Sequence, residues 1–152
     1  MQTVRVKKTI DAPIDDVFDA YTDHEALALL PIVRSAKLIK TGHPERNGLG
    51  AIREVDGGVV WLREEITRFD RPRRMEYRIV KSRPPSDHRL GRVEFAENAD
   101  GGTEIIWTSV FGIPVPGVGI VVEPGFRLAF EVIFRLVLRS VAQRATAKRS
   151  VA

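Results

Sequence analysis

The last quarter of the chain constrains the fold most. From Phe126 onward no proline or glycine interrupts FRLAFEVIFRLVLRSVAQRATAKR, which follows directly on a glycine- and proline-rich stretch, GIPVPGVGIVVEPG (residues 112–125). Arg127, Glu131, Arg135 and Arg139 recur every four positions and so share one side of a helix. Phe126, Phe130, Ile133, Phe134, Val137 and Val141 fill another side, and Leu128, Val132 and Leu136 widen the apolar surface. The pattern predicts a helix over about residues 124–148. A helix of roughly 25 residues is about 35 Å long, and one this apolar needs a large concave partner.

The rest of the chain reads as strands able to supply it. Residues 3–10 (TVRVKKTI) alternate and are rich in β-formers. Asp11-Ala12-Pro13 breaks that strand and opens a helix: proline suits a first turn, and Asp15 and Asp16 favour its positive end. Ile14, Val17, Phe18 and Tyr21 mark one face, and Glu25 to Leu30 reads as a second short helix stopped before Pro31. Six more strands are expected near 33–41, 49–55, 58–69, 73–81, 88–97 and 102–111. Asp56-Gly57-Gly58, Asp70-Arg71-Pro72 and Asp100-Gly101-Gly102 are turn chemistry between them. Short gaps argue for an antiparallel meander. The expectation is an α+β fold, a seven-stranded curved sheet around the long C-terminal helix, with residues 1–152 forming one domain. Such an arrangement leaves a space between sheet and helix.

Composition excludes several functions. There is no cysteine, so disulfide frameworks, zinc ribbons and thiol catalysis are ruled out. The three histidines are scattered, and no metal or cofactor is expected. GxSxG, P-loop, HExxH and GxGxxG patterns are all absent. The net charge of +4 is carried largely by the C-terminal end (Arg139, Arg144, Lys148, Arg149), where cations suit the helix dipole. Basic residues are otherwise spread over many elements, so nucleic-acid binding is not expected. The first residues lack the apolar core of a signal peptide, and no apolar run is long enough to span a bilayer; a cytoplasmic location without stable membrane insertion is the expectation.

Strand parity selects candidate pocket residues. Val60, Leu62, Glu64 and Ile66 share one face of their strand, and Trp61, Arg63, Glu65 and Thr67 the other, more polar one. Met75, Tyr77 and Ile79 oppose Glu76 and Arg78; Val93 and Phe95 oppose Arg92 and Glu94; Ile105, Trp107, Ser109 and Phe111 oppose Glu104, Ile106 and Thr108. The candidate ligand wall is therefore Leu62, Glu64, Met75, Tyr77, Phe95, Trp107 and Phe111, facing Phe130, Phe134 and Val137 of the helix. Arg53 and Glu64 are charged residues in parity with apolar faces, on strands joined by the Asp56-Gly57-Gly58 turn, so an ion pair is expected between them. That pair reads either as structural or as a polar anchor or acid/base. Tyr77 and His88 complete the catalytic candidates. His88 opens a strand at the pocket rim, whereas His24 and His43 read as surface residues.

Several local patterns together resemble the START-like (helix-grip, SRPBCC) superfamily and, within it, polyketide cyclase/dehydrase-type proteins. They are TIDAPIDDVFDAYTD near the start, GLGAIREV (48–55), EEITRFDRPRRMEYRIV (64–80) and DGGTEIIWTSVF (100–111), then the Gly/Pro loop and terminal helix. The resemblance covers nearly the whole chain. It departs after the first helix, where that family often carries a tryptophan and this chain has DHEALALLPIV. The resemblance implies the helix-grip fold and a hydrophobic ligand, and it admits carriers, receptors and cyclases.

Three functions follow as expectations. The first is binding of a small, mostly apolar molecule such as a lipid, polyketide or aromatic metabolite, with residues 112–125 as a lid. The second is a cyclase or dehydratase using Arg53, Glu64, Tyr77 or His88 for proton transfer. The third is an interaction or membrane-surface module using the apolar face of the last helix, and a homodimer through that helix or through residues 112–125 is a further expected partner.

Overall fold

The computed structural model describes the backbone of residues 1–151 and side chains through Lys148, so the Arg149 cation of the basic end lies outside the described residues. β1 (Gln2–Ile10) leads into α1 (Ile14–Thr22) and a 3-10 helix (His24–Leu29). The strands β2 (Ser35–Lys40), β3 (Ile52–Asp56), β4 (Trp61–Asp70), β5 (Arg74–Arg83), β6 (Asp87–Glu97) and β7 (Thr103–Gly112) precede α2 (Gly119–Val151). The seven strands form one antiparallel sheet in the order β1-β7-β6-β5-β4-β3-β2. Each hairpin neighbour in sequence is a neighbour in space, and β1 closes the order beside β7.

α1 starts after Pro13, with Asp15 and Asp16 in its first turn and Val17 and Phe18 fully buried. Phe18 meets Phe69 and Phe95 edge-on at 5.2 and 5.0 Å. α1 therefore covers one half of the concave face and α2 the other. α2 is tied to α1 by Arg144, whose Nη1 donates to the Ala20 carbonyl at 2.8 Å, and by Lys148 at 3.2 Å from Asp16. Its inner side buries Phe134, Val137, Leu138, Val141 and Ala145.

Three expectations change. The long helix begins at Gly119, five residues before the expected start, with Pro124 inside it. Val121 and Val122 N–H both donate to the Val118 carbonyl, at 3.1 Å each, and this sets the first turn. Proline costs a helix the bond to the carbonyl four residues back; here that is Ile120, on an exposed turn. The Gly/Pro loop thus shrinks to residues 113–118, because Gly112 belongs to β7. The second short helix is of 3-10 type and begins at His24. His24 is buried, 1% exposed, and does not lie on the surface. Its Nε2–H donates to the Glu54 carbonyl at 2.8 Å, locking the 3-10 helix to β3.

Candidate functional site

Between α2 and the uncovered half of the sheet lies an apolar cavity. Leu27 and Leu30 of the 3-10 segment, Val55, Val60 and Leu62 of the β3–β4 hairpin, and Ile79 and Pro84 of β5 and its turn make the sheet side. Phe111 of β7 adds to the sheet side, and Ile113 of the loop with Phe126, Phe130, Ile133, Phe134 and Val137 of α2 makes the opposite side. The cavity is partly open, with a volume of about 120 Å³. An apolar cavity of about 150 Å³ holds one benzene ring, whereas drug-sized ligands occupy roughly 300–1,000 Å³. A larger guest is expected to extend toward the opening or to displace the aromatic side chains of α2. Trp107 is central to that wall: its indole stacks on Phe134 at 3.7 Å, with 4° between planes, and Tyr21 meets it edge-on at 5.3 Å.

A cluster of polar groups interrupts the apolar lining, apart from the Ser82–Ser86 pair. Glu64, Tyr77, His88 and Ser109 all reach the cavity. Trp107 Nε1–H donates to the Tyr77 hydroxyl oxygen at 2.8 Å, and the Ser109 hydroxyl bonds the same phenol. His88 Nδ1 accepts the Ile79 N–H at 3.1 Å, so Nε2 carries the proton and donates to Ser109 Oγ at 3.2 Å. The His88 ring lies parallel to Tyr77, 5.5 Å away. Burial lowers the His88 pKa below its ordinary value and pushes the Tyr77 phenol up, so both are neutral near pH 7.

Behind this cluster sits the expected ion pair. Arg53 and Glu64 face each other in the β3–β4 register, and Nε donates to Oε2 at 2.8 Å with both side chains at most 10% exposed. Arg53 also bonds the Tyr21 hydroxyl and lies 5.7 Å over the Tyr77 ring. Burial nonetheless dominates at Tyr21 and raises its pKa.

Local backbone features place these groups. Tyr77 pairs with Gly91 on β6, where a Cβ would stand 2.5 Å from the tyrosine ring, so glycine there makes room for the phenol. Two irregularities in the ladder then reverse the alternation. Between Glu64–Ile79 and Arg63–Lys81 one residue, Val80, is extra, and Ser82 turns to the cavity. Between His88–Phe111 and Leu90–Val110 the extra residue is Arg89, and His88 turns inward. An extra residue in one strand flips its side-chain phase and bends the sheet.

Of the residues expected from parity, Leu62, Glu64, Tyr77, Trp107, Phe111, Phe130, Phe134 and Val137 line the cavity. Met75 and Phe95 do not: they point to the same concave face but lie under α1, fully packed at 0% and 3% exposure. Arg53 is one step behind the wall, reaching the cavity through Glu64. Leu27, Leu30, Ser82 and Ser86 were not expected. The two serines follow the Val80 irregularity, which no period of two anticipates.

Residues 1–146 match the protein family described as polyketide cyclase / dehydrase and lipid transport. No curated protein matches the sequence. Among solved structures, TTHA0849 from Thermus thermophilus is 19% identical, with a TM-score of 0.77 over 97% of this chain and 99% of that one. A START superfamily protein from Mycobacterium smegmatis is 13% identical, with a TM-score of 0.69 over 95% of this chain and 97% of that one. The di-domain ARO/CYC BexL from the BE-7585A biosynthetic pathway is 23% identical, with a TM-score of 0.71; the match spans 95% of this chain and 50% of that one. These similarities establish the helix-grip fold.

Proposed function

This chain belongs to the polyketide cyclase/dehydrase and lipid transport family, and on that premise we propose that it binds a small, mostly apolar molecule between sheet and α2. The carrying observation is a mostly apolar cavity whose sheet wall brings together the polar groups Glu64, Tyr77, His88 and Ser109. A guest with one hydroxyl or carbonyl group matches it. The Tyr77 oxygen already accepts from Trp107, which leaves its hydrogen for a ligand oxygen, and Glu64 Oε1 is free of the bond that Oε2 makes with Arg53. The rest of the guest meets Phe126, Phe130 and Phe134.

A second reading is a cyclase or dehydratase, and one observation favours it: three titratable groups converge on one cavity. Against turnover, both nitrogens of the one near-neutral base are engaged and the carboxylate is held in an ion pair. His88 uses Nδ1 for the Ile79 N–H and Nε2 for Ser109, and Glu64 is held by Arg53. A general base needs a free lone pair within reach of the substrate proton. Binding without turnover is thus the better-supported reading.

Native mass spectrometry of the purified protein tests both. A co-purified apolar molecule, recovered unaltered after prolonged incubation with fresh protein, is the expected result. A chemically changed product, lost in Glu64→Gln while binding of an apolar fluorescent probe persists, replaces the binding reading with the enzymatic one.

A further inference from the structure

The four most exposed large apolar side chains among the described residues are Leu29, Val59, Ile120 and Val121, at 71, 87, 85 and 77%. All four sit on segments that also supply cavity-lining residues. Leu29 adjoins the lining residue Leu30, Val59 adjoins Val60, and Ile120 and Val121 lie between the lining residues Ile113 and Phe126. These segments are held together. Arg34 N–H donates to the Asp56 carbonyl at 2.7 Å, joining the 3-10 region to the β3–β4 turn, and Asp87 pairs with Gly112, joining the β5–β6 turn to the start of the loop before α2. Exposed apolar residues scattered singly are ordinary, but a set carried on segments that line one cavity is not.

Charge at the same rim is in excess on the cationic side. Asp87 pairs with Arg89, and Glu123 takes the Ile113 N–H and the Met1 amino group; Asp56, whose Oδ1 accepts the Gly58 N–H, is the rim carboxylate without an ion pair among the described residues. Arg34, Arg83 and Arg127 lie on these segments and form no ion pair among the described residues. Apolar tips ringed by unpaired guanidinium groups complement an anionic lipid surface, where apolar side chains enter the headgroup–acyl boundary and cations meet lipid phosphate and carboxylate.

We propose that the cavity mouth docks on the surface of an anionic bilayer, with Val59, Ile120 and Val121 inserted and Arg34, Arg83 and Arg127 at headgroup level. Attachment is peripheral, since no described helix is long and apolar enough to cross a membrane. As for its purpose, the inference rests on the binding reading above: a sparingly soluble guest passes between bilayer and cavity without crossing water, because the opening faces the lipid.

Co-sedimentation with phosphatidylcholine vesicles, with and without phosphatidylserine, tests it on the full chain. Binding is expected only with phosphatidylserine, is expected to weaken with added salt, and is expected to fall about tenfold or more in Ile120→Asp and in Val59→Asp. Leu49→Asp, an exposed position that does not line the cavity, is expected to bind as the unaltered chain does. An apolar fluorescent probe added in free solution separates the two readings: it is expected to bind all variants alike, and its failure alone strikes the cavity reading and leaves docking standing. Absence of vesicle binding overturns the docking proposal, as does binding indifferent to both rim variants. A concentration-dependent dimer abolished by the same variants, without vesicle binding, assigns the surface to a second copy of this chain and likewise overturns it.

Discussion

At the scale of single residues, the Arg53–Glu64 pair has the clearest consequence. Both groups have left water, and each is tolerable only because of the other. Glu64→Gln is expected to cost about 3–5 kcal/mol in urea unfolding, while an apolar double replacement is expected to recover most of that loss. His24 makes a pH prediction. Burial first, and then the nearby Arg53 charge, lower its pKa to about 4 from an unfolded value of 6.5, and its Nδ1 has no hydrogen-bond partner among the described residues. Between those values the unfolded chain binds the proton and the folded one does not, so stability is full above pH 6.5 and falls as pH drops toward 4, by about 3 kcal/mol. Denaturation midpoints across that range are expected to decline less steeply in His24→Gln than in the unaltered chain. Gly91→Ala forces the Tyr77 ring aside. The expected outcome is a loss of about 1–3 kcal/mol in stability together with weaker probe binding. The ion pair was legible because strand alternation and a short turn together specify neighbours. The burial of His24 was not, because nothing local records which side of a 3-10 turn meets β3.

At the scale of elements, α2 and β7 share the aromatic stack that closes the cavity. Trp107 lies flat on Phe134, and the space beside them suits one ring. A guest of two or more fused rings is expected to separate this pair. In a Trp61→Phe background Trp107 is the sole reporter, and its emission is expected to change in wavelength and intensity on binding. Unchanged emission at saturation argues that the guest sits elsewhere. The existence of α2 was legible from its period, but its first turn was not: Gly119 to Gly125 has the composition of a loop, and helix forms there because Val118 supplies the first carbonyl and Glu123 ties the turn to Ile113. Likewise the order of the strands followed from turn residues. The extra residues at Val80 and Arg89 did not, since each depends on how two strands lie against one another.

At the scale of the whole molecule, a ligand that fills the cavity binds only the folded state. At about 100 times its Kd such a ligand adds roughly 2.7 kcal/mol to stability, which for a chain of this length is a rise of about 5–10 °C in Tm. Calorimetry with the co-purified molecule checks this, and no rise at saturation contradicts a buried site. By itself the sequence determined the antiparallel sheet, the long closing helix and the apolar face between them, because alternation, helical period and turn chemistry are local properties carried by near neighbours. It also determined the Arg53–Glu64 pairing, which needs only one hairpin. Only the tertiary structure decided how the concave face is divided. Met75 and Phe95 have the same parity as Tyr77, yet α1 covers them and leaves Tyr77 open to the cavity. It also decided that Ser82 and His88 turn inward and that Leu29, Val59, Ile120 and Val121 stay exposed on segments that line the cavity. Those outcomes depend on contacts between residues far apart in the chain, and no local period encodes such contacts.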